Sequence, residues 1–170
     1  SVFAPSAGTT EAHIMLHATD GTQTCEQQIE ALQRAESALL ADDMSAMTVV
    51  FRRYFVSDAA NQQSALPQAG AEAVSVVEQP PLDGTKVAIW LDLQSGASVR
   101  SLNGNLCEVQ RGAYRHLWSG TNCNTLATSE EQTRALLTDY AARLRDNGCT
   151  LEANCIRTWF FVQNVDVNYR

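Results

Sequence analysis

Basic residues are scarce in this chain: 12 lysines and arginines stand against 19 aspartates and glutamates, giving a net charge of −7 over 170 residues. They are spread thinly and form no run. A nucleic-acid-binding role is disfavoured on that ground, because phosphate binding draws on a surplus of lysine and arginine. Long apolar runs are missing too. No stretch reaches the ~18 residues of a membrane span. The opening SVFAPSAGTT has neither the basic start nor the continuous apolar core of a secretion signal. The chain begins at Ser1 without a methionine, as a processed start would. Its cysteines (Cys25, Cys107, Cys123, Cys149 and Cys155) include no CxxC pair and are odd in number. Reduced thiols and a cytoplasmic location are expected, rather than a disulfide framework. His13 and His17 lie in the strand-like HIMLHA and not on one face of a helix, so neither a metal site nor a cofactor is expected.

What the chain does have is an apolar fraction of 45%, ordinary for a globular protein. Its length suits one domain, or one and part of another. TCEQQIEALQRAESALLADD predicts a helix. Thr24 and Gln27 have the spacing of a capping box, and Ile29, Leu32, Ala35 or Glu36, and Leu39 form its stripe. SEEQTRALLTDYAARLRDNG predicts another, with Ser129 and Gln132 as the cap pair. Its stripe is Leu136, Leu137, Tyr140 and Leu144, and Gly148 is its stop.

These two segments align at a constant offset of 105: Thr24 on Ser129, Gln27 on Gln132, Leu32 on Leu137. The same offset carries Arg52 onto Arg157, Tyr54 onto Trp159 and Phe55 onto Phe160. One plan used twice is the expectation, with the strand MTVVFRRYFVSD matched by CIRTWFFVQNVD. The first unit, 1–95, then continues with a short helix near 59–66 capped by Ser57 or Asp58. Two strands, AVSVVEQ and TKVAIWLDL, follow, joined by PPLDG. The second, 96–170, opens with ASVRSLNGNLCEVQ and YRHLWSG, where Gly104 supplies a hairpin turn. Counterparts of the small helix and last two strands are missing from it, so the chain is expected to be a fragment of a longer protein.

The order β-β-α-β-α-β-β, repeated, resembles the Rid family: reactive-intermediate deaminases, also called YjgF-like and historically labelled translation initiation inhibitors or endoribonucleases. The likeness is carried by Trp118-Ser119-Gly120, Glu131-Gln132, Leu144, Gly148, CIRTWFFVQNVD and Asn168-Tyr169, and in the first unit by Glu26-Gln27, VVFRRYFVSD and AVSVVEQPPLDGTKVAIW. It implies an α+β fold, an α/β sandwich with helices on one face of a mixed sheet. It also implies self-association, as a trimer or pseudo-trimer of such units with ligands in clefts between copies. The implied activity is hydrolysis of enamines or imines, with an arginine gripping the substrate carboxylate and a glutamate placing the water.

The resemblance places that arginine at Ala71 or Glu72 and that glutamate at Ala88, so the first unit lacks both groups. In the second unit both positions fall beyond Arg170. The chain is therefore expected to be catalytically incomplete, a packing scaffold, and no catalytic residue is assigned. The alternative is part of an enzyme acting on a small carboxylated metabolite, an enamine, imine or chorismate, with its site completed elsewhere. Arg157-Thr158-Trp159 is similar to an R-T-W run of the chorismatase group. A ribonuclease role is opposed by the acidic composition.

Candidate ligand-binding residues are Arg157, Trp159, Ser119 and Gly120. Strand alternation would put Cys155, Arg157, Trp159 and Phe161 on one face, and in the first unit Val50, Arg52, Tyr54 and Val56. Arg157 reads either as an anion clamp beside an aromatic wall or as an arginine stacked on aromatics and paired with a carboxylate. The recurrence of that arginine as Arg52 favours the structural role. Ser119-Gly120 reads as a source of backbone amides for a ligand or as a plain strand end. His116 is a packed histidine or an acid–base group. Cys107 and Cys123 have no neighbouring base that would make them nucleophiles.

Overall fold

The computed structural model describes residues 1–102 and 105–168. It begins with β1 (Val2–Phe3), β2 (Glu11–His17), α1 (Cys25–Ala41), β3 (Met47–Val56), α2 (Ala59–Gln62), β4 (Ala73–Glu78) and β5 (Val87–Ser95). There follow β6 (Ala97–Ser101), β7 (Leu106–Arg111), β8 (Tyr114–Ser119), α3 (Ser129–Asp146), α4 (Leu151–Asn154) and α5 (Val165–Asn168). The class is α+β with a mixed sheet. By contacts, Ser1–Thr121 is one compact unit and Asn122–Arg170 another. Packing thus divides the chain after β8, between Thr121 and Asn122. The turn expected at Gly104 lies outside the described residues. No described helix is long and apolar enough to cross a membrane.

In the first unit the five-stranded sheet has the order β1-β2-β5-β3-β4. Only β3 and β4 run parallel, joined through α2 and a turn of 3-10 helix at Gln63–Ala65. Asp58 caps α2, its carboxylate accepting from the Asn61 amide. The strand β5 reads VAIWLDLQS and is buried on both faces. Val87, Ile89, Leu91 and Leu93 join Ile29 and Leu32 of α1 in one core. Ala88, Trp90, Asp92 and Gln94 alternate onto the opposite face. There the antiparallel sheet β6-β7-β8 covers a second core of Val50, Phe51, Ala73, Cys107 and Val109.

A bulge in β3 between Val49 and Phe51 corrects the expected faces of that strand. Val50 does not share a face with Tyr54 and Val56. It joins Phe51 in the second core, because the extra residue resets the alternation.

Two local ties orient α1. Thr24 Oγ1 accepts from the Gln27 amide at 3.3 Å and Gln27 Oε1 accepts from the Thr24 amide at 3.0 Å, the capping box expected. Gln28, fully buried, donates to the carbonyls of Asp20 and Gln23 and accepts from the Lys86 amide at 2.8 Å. That pins the helix start to the entrance of β5.

In the second unit the expected cap of α3 moves by one residue. Thr128, not Ser129, is the N-cap: its Oγ1 accepts from the Glu131 amide at 3.2 Å, and the Glu131 carboxylate accepts from the Thr128 amide at 3.1 Å. Glu131 outcompetes Gln132 as the third helical residue because its charge also meets the positive end of the helix dipole.

The expected strand CIRTWFFVQNVD does not form. Residues 155–162 carry no regular structure, and Val165–Asn168 is a helical turn. Exposure along it does not alternate: Trp159 is 47%, Phe160 51% and Phe161 49% exposed. The matching strand β3 shows the reason. It is flanked by β5 on one edge and β4 on the other. Residues 155–162 have no flanking strand among the described residues, so a strand there would leave its ladder groups unpaired.

The cap assignment is tested by substitution. Thr128→Ala lowers the stability of α3 by about 1 kcal/mol and Ser129→Ala leaves it unchanged, read from the helical circular-dichroism signal during urea unfolding.

Candidate functional site

The best-defined charged constellation of the first unit is centred on Arg52. It stands on β3, on the side facing α1, with its side chain 14% exposed. Nη1 donates to Glu36 Oε2 of α1 at 2.5 Å, and Nε donates to Glu72 Oε1, just ahead of β4, at 3.2 Å. The two carboxylate side chains are themselves buried, 7% and 12% exposed. The guanidinium also lies 6.0 Å from the Tyr54 ring centroid. Burial opposes its charge, but the hydrogen bond to Glu36 and the negative groups around it hold its pKa above the ordinary arginine value. Arg52 is thus permanently cationic and bonded to two acids. Burial raises the Tyr54 hydroxyl's pKa, against the pull of Arg52.

Sequence reading singled out Arg52 but not its partners. The available signal was Glu36 itself, an acid in the apolar stripe after Ile29 and Leu32, where a charge has to find a partner.

Beside Tyr54 a cleft of about 200 Å3 opens, walled by Leu66, Pro67, Val74 and Val76, with Gln63, Asn105 and Thr121 as its polar edge. None of these described lining residues carries a charge. Ser119 ends β8, and Gly120 follows it directly before Thr121 of the lining; neither lines the cleft itself. A Cβ on Gly120 would sit 2.0 Å from the Val74 carbonyl oxygen, so only glycine allows this approach of β8 to β4. The Gly120 amide donates to the Asn105 carbonyl at 3.1 Å. Thr121 Oγ1 donates to the Val74 carbonyl at 2.9 Å and accepts from the Val76 amide at 3.1 Å. The chain around Ser119-Gly120 therefore seals the outer edge of β4, and the Gly120 amide is already engaged.

Arg157 and Trp159 belong to the second unit, so the four candidate ligand residues are divided between the two units. Arg157 lies 5.4 Å over the Trp159 ring centroid, a cation–π contact on an exposed segment. The counterpart of Glu36 at offset 105 is Ala141, which has no charge to offer Arg157. Burial pushes the Cys107 thiol up to about 11, which keeps it an inert core group. His116 is half-buried on β8, and burial lowers its pKa, with Arg111 adding to the effect.

No protein-family model, curated protein or solved structure matches this chain.

Removing one member of the Arg52 network strands buried charge. Arg52→Leu costs about 3–5 kcal/mol in denaturant unfolding. The triple variant Arg52→Leu, Glu36→Leu and Glu72→Leu recovers most of that loss, because no buried charge is then left unpaired.

Proposed function

We propose that this chain is a catalytically incomplete unit of the Rid (YjgF-like) type, built on a duplicated plan, that serves as a packing scaffold for further such units. The observation that carries this reading is that Arg52 is already paired with two carboxylates. Rid-type chemistry needs an arginine free to grip a substrate carboxylate. Here Arg52 is bonded to Glu36 and Glu72, and the cleft beside Tyr54 is lined by uncharged groups. Glu72 stands at one of the two positions where the resemblance calls for arginine. Ala88, where it calls for glutamate, is a buried methyl on β5 that cannot position water.

The order β-β-α-β-α-β-β through Ser95 supports the family resemblance. The placement of α1 (Cys25–Ala41) and α3 (Ser129–Asp146), whose starts lie 104 residues apart and whose ends lie 105 apart, within one residue of the repeat offset, favours the duplication. The scaffold role draws on the run from Ile156 to Val162, whose large apolar side chains are about half exposed or more. Such a run gains by being covered. A neighbouring unit that supplied flanking strands would let it pair as β3 does.

Sedimentation velocity over a wide concentration range tests association. The chain forms species larger than a monomer, and Phe160→Asp shifts them to monomer; a strictly monomeric parent chain would rule out the scaffold role. In parallel, 2-aminoacrylate generated in solution decays no faster with the protein than in buffer. Acceleration that survives purification would overturn catalytic incompleteness.

A further inference from the structure

On the sheet face opposite α1, β2 and β5 place Glu11 across from Gln94 and His13 across from Asp92. Asp92 is 4% exposed, and its Oδ1 has no hydrogen-bond partner among the described residues. Gln94 hydrogen-bonds the same carboxyl group. From the covering sheet, Arg111 at the end of β7 donates to the Glu11 carboxylate and to Gln94 Oε1, the latter at 3.4 Å. A continuous polar chain, Glu11–Arg111–Gln94–Asp92, therefore crosses the seam between the two sheets of the first unit.

The other neighbours of Asp92 are known as well. On β3 it faces the apolar Phe51, with Arg53 two residues along and stacked over Phe51 and Trp90. On β2, exposed His13 lies parallel to the Trp90 ring, centroids 5.6 Å apart. On β8, half-buried His116 feels the charges of Arg111 and Glu11. A buried carboxyl group with an unbonded oxygen costs stability whenever it ionises. The rest of this face is sealed by apolar and aromatic contacts, so that cost is concentrated at the seam.

We propose that Asp92 and His13 form a proton-operated clasp. With Asp92 protonated, the β7–β8 edge is held down on β2 and β5; with Asp92 ionised, that edge loosens and admits water to the carboxylate. On ionisation the proton leaves Asp92 for solvent. The inference does not depend on the scaffold reading.

Burial pushes the Asp92 carboxyl up to about 6 from 3.8; His13 pulls it back, Glu11 pushes it further, and the Gln94 hydrogen bond and Arg111 lower it. A carboxyl group whose folded pKa is raised binds its proton more tightly when folded. Its penalty on the folded state is therefore absent below the unfolded value, grows as pH rises between the two values, and stays in full above the folded one.

Amide hydrogen exchange of β7 and β8, corrected for intrinsic rates, tests the clasp at about pH 5 and about pH 8, on either side of its expected midpoint. In the parent chain, protection there falls by about tenfold or more toward the higher pH. In Asp92→Asn it is independent of pH and exceeds that of the parent chain at the higher pH. An equal pH dependence in both proteins, or none in the parent, would overturn the proposal.

A carbon-13 titration of the Asp92 carboxyl in the parent chain needs no variant to fold. A midpoint near 6 is expected, and one below about 4.5, close to an ordinary aspartate, would sink the clasp. In His13→Gln the midpoint rises, because the neighbouring positive charge is gone; an unchanged midpoint would remove His13 from the device.

Discussion

Strand β3 has to bury two faces and satisfy two edges at once, and most of the architecture answers that demand. Its edges are met by β5 and β4. One face packs against α1 through Tyr54 and Val56, and the other, reached through the bulge at Val50, packs against β6–β8. A ten-residue strand so rich in β-branched and aromatic side chains is stable only where all four surroundings are supplied. Residues 155–162 show the converse. They are similar in composition, lack flanking strands among the described residues, and leave their aromatics exposed.

Three acids have been taken into the interior of the first unit, and they divide by how they are compensated. Glu36 and Glu72 share Arg52, so the network is neutralised locally and acts as a lock between α1, β3 and the approach to β4. Asp92 has a single side-chain hydrogen bond, from Gln94, and an unbonded oxygen. Desolvation without a cation in direct contact leaves its proton as the cheapest compensation. A doubly paired arginine and an under-compensated aspartate thus sit on opposite faces of one sheet. The first removes an anion site, and the second creates a titrating one.

Much of the fold was legible. The capping box at Thr24 and Gln27, the stripe of Ile29 and Leu32, Asp58 as a cap and the strands of 73–95 are local signals, readable from spacing. The Thr128 cap was one residue off because Ser129-Gln132 and Thr128-Glu131 both fit the pattern, and only the charge–dipole term separates them. The bulge in β3 was not legible, since an extra residue leaves composition and period almost unchanged. Glu36 was visible as an acid in an apolar stripe, but its partner Arg52 lies 16 residues away in sequence, and Glu72, the other acid on Arg52, a further 20. Asp92 stood out less, since alternation in VAIWLDLQ places it on a face that an exposed strand would turn to solvent.

By itself, then, the sequence determined the two long helices and the short one after Asp58, their approximate ends, and which stretches are able to become strands. Those properties follow from near-neighbour geometry, dihedral preference and period. Tertiary structure decided which strand-like stretches become strands, because a ladder needs partners from elsewhere in the chain. It also decided which charges are inside: β6–β8 cover the face that carries Asp92, and Glu72 folds back onto Arg52. Burial depends on what lies across the sheet, and no local pattern in the chain specifies that.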